Sequence, residues 1–161
     1  MSFVADSVHI STLWRVYVDG ASRGNPGRGG AGIVVYRNDQ LVKKYGYYLG
    51  IRTNNQAEYC AFLLALYHVK KLMNAGDFVE IISDSQLVIR QMQGVYKIRN
   101  DDLIAMARLA RSMIGAMKCT FVHVLREDNE LADEMANKGI DDNVHLPAEF
   151  LTLLREYHNT W

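Results

Sequence analysis

The feature that most constrains this chain is a change of period near residue 53. Before it, residues 14–19 alternate, with Trp14, Val16 and Val18 on one face and Arg15, Tyr17 and Asp19 on the other. That period of two is the signature of a half-buried strand. Residues 31–37 and 40–49 continue in the same style, joined by the turn-forming pair Asn38-Asp39. Three antiparallel strands in a meander are the simplest reading. Beyond them, "TNNQAEYCAFLLALYHVKKLMNAG" opens with the capping-box pair Thr53 and Gln56 and closes at Gly76. It predicts a helix of about five turns, with Ala57, Ala61, Leu64, Ala65 and Leu72 on its buried side.

The rest of the chain alternates between the two kinds of pattern. "FVEIISD" is a β-branched run without a breaker and suits a strand buried on both faces. "SQLVIRQMQG" predicts a short helix ending at Gly94, and "NDDLIAMARLARSMIGAMK" a longer one. "CTFVHV" predicts a strand, and "NELADEMANKG" a helix stopped by Gly139. The tail "LPAEFLTLLREYH" is amphipathic, with Pro147 placed to begin a helix. The order βββαβααβα, with a further helix at the end, predicts an α/β fold: one mixed sheet flanked by helices. The 161 residues fit a single domain.

Composition excludes several classes. No apolar run approaches the ~20 residues that cross a membrane, and "MSFVADSVHISTLW" lacks the features of a secretory signal. Cys60 and Cys119 lie far apart, outside metal-ligand spacing. An intracellular, cytoplasmic protein with reduced thiols is expected, monomeric and without membrane contact. His9, His68, His145 and His158 are scattered, which argues against a histidine metal site, and the seven methionines suit core packing. The zero net charge hides a gradient: residues 14–52 hold seven basic and two acidic residues, residues 100–161 six basic and eleven acidic. The basic part would suit a polyanion, or simply form a solvated sheet face.

Four carboxylates stand at junctions between elements, where ligands of an open α/β sheet collect. Asp19 is expected to close the first strand and Asp84 the "VEIISD" strand; Glu58 falls in the first turn of the long helix and Asp133 in that of the helix after the last strand. Each has a plain alternative: a turn starter for Asp19, a helix cap for Glu58 and Asp84, favourable charge at a helix start for Asp133. Brought together, however, they would repel each other and require cations, and hard divalent ions prefer oxygen ligands. Two such ions ~4 Å apart clamp the attacking and leaving oxygens of a phosphoryl displacement.

"VDGASRGNPGRGGAG", "TNNQAEY", "SDSQLVIRQMQG" and "HVLREDNELAD" resemble, in order and spacing, the four segments of type 1 ribonuclease H. The resemblance covers about residues 14–138 and implies a ribonuclease H-like fold: a five-stranded mixed sheet, three antiparallel strands then two parallel, with flanking helices. It divides the chain into an N-terminal extension (1–13), the ribonuclease H domain (14–139) and a C-terminal extension (140–161) whose helix packs on the domain. It implies an endonuclease that cuts the RNA strand of RNA–DNA hybrids largely independently of sequence, leaving 5′-phosphate and 3′-hydroxyl ends. By the same resemblance Asp19, Glu58, Asp84 and Asp133 hold two Mg²⁺ ions, for which Mn²⁺ can substitute. Asn25, Asn54, Asn55 and Gln86 match positions that touch the hybrid, and Thr53 one that grips a DNA phosphate. The glycines after Asp19 would let the backbone approach nucleic acid.

This chain departs from many relatives in three ways. Only "GVYKIR" stands where a basic helical insertion follows the Asp84 helix; residues 1–13 are too short for a separate hybrid-binding domain; and the loop before Asp133 carries Arg126 where some relatives have a histidine. Arg126 is either a catalytic helper, able to stabilise phosphate but not to shuttle protons near neutral pH, or a surface arginine; His123, in a strand, reads as structural. Two other functions compete: DNA strand transfer or resolution on a related fold, and hybrid binding without catalysis. The amides suited to 2′-hydroxyls oppose the first, and four retained carboxylates oppose the second.

Overall fold

The computed structural model describes residues 10–157 and 161; most of the 1–13 extension, with His9 and His158, lies outside the described residues. β1 (Leu13–Gly24), β2 (Gly27–Arg37) and β3 (Gln40–Arg52) form the antiparallel meander. β4 (Phe78–Ser83) joins β1 in parallel, and β5 (Lys118–His123) joins β4 in parallel, giving the order β3-β2-β1-β4-β5. This is the mixed five-stranded α/β sheet read from the alternation of patterns. The helices are α1 (Asn54–Leu72), α2 (Gln86–Met92), α3 (Asp101–Ile114), α4 (Glu130–Asp141) and α5 (Ala148–Tyr157), with a 3₁₀ turn at Arg126–Asp128. No helix among the described residues is long and apolar enough to cross a membrane.

Two strand boundaries correct the sequence reading. Asp19 does not close β1 but lies within it, opposite Gly32 on β2, and the ladder continues unbroken to Gly24↔Gly27. The stretch "SRGNPG" is therefore a strand extension with only Asn25-Pro26 as its turn. Gly, Ala and Ser there carry no alternation of hydrophobicity, yet the backbone ladder needs none.

α1 begins as its capping box requires. Thr53 Oγ1 accepts from Gln56 N at 3.2 Å, and Gln56 Oε1 accepts from Thr53 N at 2.9 Å. The helix ends at Leu72, not Gly76, because Asp77 Oδ2 takes Asn74 N (2.9 Å) and the chain turns. Nor is α1 one-sided. Tyr59, Phe62, Leu63 and Leu66 are fully buried along with Ala57 and Ala61, because the sheet covers one side while α3 and α5, through Leu109, Phe150 and Leu154, complete the core around it. Asp77 is itself buried and also accepts from Thr12 N and Trp14 Nε1, both at 3.0 Å. That carboxylate ties the start of β1 to the start of β4.

The opposite face of the sheet is covered by α4, and here glycine serves packing. α4 is not stopped by Gly139 but runs through it to Asp141, and glycine is required there because a Cβ would lie 2.3 Å from Tyr47 N on β3. On the facing strand, a Cβ at Gly32 would lie 1.9 Å from Ala132 O. The glycines of β2 beneath α4 thus seat a helix on the sheet; they are not an approach for nucleic acid.

His68, on α1, is packed between aromatic rings. It stacks on Tyr45 at 3.8 Å between centroids and meets Tyr47 Oη through Nε2 at 2.9 Å. Burial pushes its pKa down to about 4, so the imidazole is neutral and structural. Cys60 and Cys119 form no disulfide.

Candidate active site

Four elements deliver carboxylates to one cleft of about 410 Å³. Asp19 comes from the middle of β1 and is 5% exposed. Glu58 stands in the second turn of α1, one residue beyond the expected first turn, and its Oε2 accepts from Gly20 N at 3.0 Å. A Cβ at Gly20 would lie 2.2 Å from Glu58 N, so glycine is what lets α1 approach β1 here. Asp84 follows β4 directly. It is not the N-cap of α2, a role taken by Ser85, so its carboxylate is left for the cleft. Asp133 arrives on the first turn of α4.

Asp19, Glu58 and Asp84 each offer an oxygen within 4.8 Å of the others. Asp133 lines the same cleft, within hydrogen-bonding reach of Asp19. Burial raises the proton affinity of Asp19, and the charges of Glu58, Asp84 and Asp133 raise it further. Glu58 is likewise held above the usual carboxylate range by burial, then by Asp84, partly offset by the Gly20 N–H. Carboxylates held in this way favour a bound positive charge, and an all-oxygen donor set fits a hard divalent cation.

The other expected site residues divide into two groups. Arg126 lines the carboxylate cleft, whereas His123 ends β5 away from it. A second cavity, of about 420 Å³, is lined by Asn25, Thr53, Asn54, Asn55 and Gln56 together with Asn100 and Asp102. Asn54 lines both cavities and so joins them. Asn25 does not simply point outward: its Oδ1 accepts from Asn54 N at 3.1 Å, fixing the β1–β2 turn against the start of α1. Gln86, exposed at the start of α2, lines neither cavity.

Four residues at the site were not legible in the sequence. Asn100 caps α3, its Oδ1 accepting from Leu103 N at 3.2 Å, while lining the second cavity. Asn129 is buried and donates Nδ2 to Val18 O (2.8 Å) and Asp84 Oδ1 (3.3 Å). Arg23 and Asn137 line the carboxylate cleft. For Asn100, the only signal was its place before Asp101-Asp102 at a helix start.

A mixed α/β sheet that gathers four acids from four elements into one cleft defines a class: a domain whose carboxylates can hold a divalent metal ion at one edge of its sheet. The comparisons give the family. The sequence model of RNase H matches residues 12–141, and the chain belongs to the RNase H family, type 1. Ribonuclease HI of Halobacterium salinarum is 40% identical over 128 residues, covering 78% of this chain and 63% of that protein. A bifunctional protein of Mycobacterium tuberculosis is 33% identical over 129 residues, covering 78% of this chain but 35% of its own length. The chain thus spans less than two thirds of these relatives. Among solved structures, LC11-RNase H1 in complex with an RNA/DNA hybrid is 35% identical with a TM-score of 0.77, covering 80% of this chain and 97% of that one.

Proposed function

We propose that this protein is an endoribonuclease that hydrolyses the RNA strand of RNA–DNA hybrids, largely independently of sequence, leaving 5′-phosphate and 3′-hydroxyl ends. The observation that carries the reading is the convergence of Asp19, Glu58 and Asp84 within 4.8 Å, with Asp133 on the same cleft. The solved relative bound to an RNA/DNA hybrid supports the choice of substrate.

Asp19, Glu58, Asp84 and Asp133 would hold two Mg²⁺ ions, which when bound supply activation of the attacking water and stabilisation of the departing 3′ oxygen. The chain's own residues bind and orient. Gly20 N–H holds the Glu58 carboxylate, and Asn129 holds that of Asp84, so both face the cleft before substrate arrives. The neighbouring cavity, with the Thr53 hydroxyl and the amides of Asn55 and Asn100, suits a phosphate of the DNA strand. Asn54, which lines both cavities, would meet a 2′-hydroxyl, a group that both donates and accepts. Arg126, at the rim, supplies positive charge to the phosphate.

The test offers purified protein an RNA–DNA hybrid, double-stranded RNA and double-stranded DNA, with Mg²⁺ or Mn²⁺. Metal-dependent cutting of the hybrid alone, lost in Asp19→Asn, is expected. Equal cutting of DNA would favour strand-transfer chemistry. Tight hybrid binding without product, with or without metal, would leave a binding module.

A further inference from the structure

Arg23 stands in the carboxylate cleft, yet neither capping nor core packing accounts for it. It is on the extension of β1, and three contacts fix its guanidinium against α4. Nη1 donates to Asp141 Oδ1 at 2.7 Å, and Nη2 donates to Asn137 Oδ1 at 3.2 Å and, at a long 3.5 Å, to Asn137 O. Asn137 in turn donates Nδ2 to Asp133 O at 3.0 Å and reaches Asp133 Oδ1 at 3.5 Å. Asp133, Asn137 and Asp141 are spaced by four and so share one face of α4. The Asn137 amide thus has its oxygen on the arginine and its nitrogen on a carboxylate of the site.

We propose that Arg23 is a substrate-binding residue: its guanidinium takes an RNA-strand phosphate next to the one cleaved, and Asn137 is the positioning residue that keeps it in register with Asp133. The inference rests on the hybrid-cleaving reading above. Three observations favour it. None of these bonds to α4 uses the Arg23 Nε–H, and the residue lines the cleft, so the planar fork that matches a phosphate is not wholly spent on α4. The Arg23 and Asp141 side chains are 44% and 60% exposed, and an exposed pair of that kind holds a geometry without strongly competing with a phosphate. Finally, Asn137 lies about one helical turn, ~6 Å, beyond Asp133 on α4, so the guanidinium is held one turn further along that helix than the carboxylate of the site. With four acids in the cleft, Arg23 adds to Arg126 the positive charge that receiving a polyanion requires.

The competing account is that Arg23 only latches the β1–β2 turn to α4. Arg28 provides the control, because it does just that. Its Nη2 donates to Ile140 O (3.2 Å) and Asn143 Oδ1 (2.7 Å), its guanidinium lies over Tyr48, and it does not line the carboxylate cleft.

The experiment uses hybrids whose RNA strand carries, at one position at a time, a 2′-O-methyl methylphosphonate linkage, compared with the 2′-O-methyl phosphate at the same position. Cleavage of the neighbouring bond is followed for wild type, Arg23→Ala, Arg23→Lys, Asn137→Ala and Arg28→Ala. With wild type, the neutral linkage at one flanking position should lower kcat/KM about tenfold, as for a charge-assisted contact. Arg23→Ala should lose a similar factor on the unmodified hybrid, mainly through KM, and be indifferent to the linkage. Its log–log salt slope should be shallower by about 0.7–0.9, one phosphate contact. Arg23→Lys should recover the salt slope but only part of the affinity, and Asn137→Ala should blunt the response at the same position. Arg28→Ala should keep the wild-type response whatever it does to Tm. The inference is overturned if Arg23→Ala remains as sensitive as wild type at every position, or if Arg28→Ala shows the same loss. If wild type cuts no hybrid, the functional reading falls and this inference with it.

Discussion

Replacing Asp19 by asparagine should make the metal-free protein more stable while abolishing cleavage. Asp19 shares the cleft with oxygens of Glu58 and Asp84 within 4.8 Å, and each unscreened pair at that distance costs ~3 kcal/mol at an effective dielectric near 20. The protein can avoid this cost by keeping a proton on Asp19, whose pKa is raised. Holding that proton at pH 7, against an unfolded value near 4, itself costs ~4 kcal/mol. Either route destabilises the folded state. The neutral amide removes that penalty while giving up some contacts, so a net gain of ~1–3 kcal/mol is expected. For a chain of this size that raises Tm by ~3–10 °C. The pH dependence follows from the direction of the shift. The folded protein binds a proton that the unfolded chain has released above about pH 4, so metal-free wild-type stability falls as pH rises from there toward the raised pKa, by ~1.4 kcal/mol per unit for each such group. Asp19→Asn should fall less steeply. Thermal melts in chelator between pH 4.5 and 8.5, repeated with saturating Mg²⁺, provide the measurement, and Mg²⁺ should raise wild-type Tm far more than that of the variant. A variant that melts at or below wild type in chelator at pH 8 would refute the reasoning.

Three further outcomes follow from the packing. Gly32→Ala would place a Cβ 1.9 Å from Ala132 O; it should displace α4 and lower cleavage at least tenfold while the protein still folds, measured by activity alongside circular dichroism. Thr53→Ala breaks the capping box of α1 and should cost ~1 kcal/mol in denaturant unfolding; it should also raise KM for the hybrid, and an unchanged KM would exclude Thr53 from the phosphate cavity. Asp77→Ala leaves Thr12 N, Trp14 Nε1 and Asn74 N without this acceptor and should cost ~3 kcal/mol or more in the same unfolding assay, with kcat changed little at temperatures where the protein is folded.

The architecture was legible wherever side chains carry a period. Trp14, Val16 and Val18 announce β1, and Thr53 with Gln56 announces α1, because burial and capping act over a few residues. The reading stopped short where the constraint lies in a partner distant in sequence. β1 continues through Gly20, Ala21 and Ser22 because β2 pairs with it, and Gly139 is a packing glycine inside α4, required by the Tyr47 backbone beneath it and not a stop. The four acids were found by the logic of element junctions, even though Asp19 is inside its strand. Arg23 was not found: its bonds to Asn137 and Asp141 span more than a hundred positions, and no local pattern marks an arginine that will meet an asparagine on a late helix.

The seat of α4 divides the site mechanically. Asp19, Glu58 and Asp84 are anchored to β1, α1 and the end of β4, elements that share the main core. Asp133 hangs instead from a helix whose stand-off from the sheet is set by absent side chains at Gly32 and Gly139. The fourth carboxylate of the cleft is therefore an adjustable arm opposite a fixed jaw. Added bulk in the seat would shift that arm, and with it Asn129 at the N-cap and Asn137 on the same helix, so a graded series of substitutions beneath α4 becomes a dial on the helix side of the cleft, turned without replacing any carboxylate.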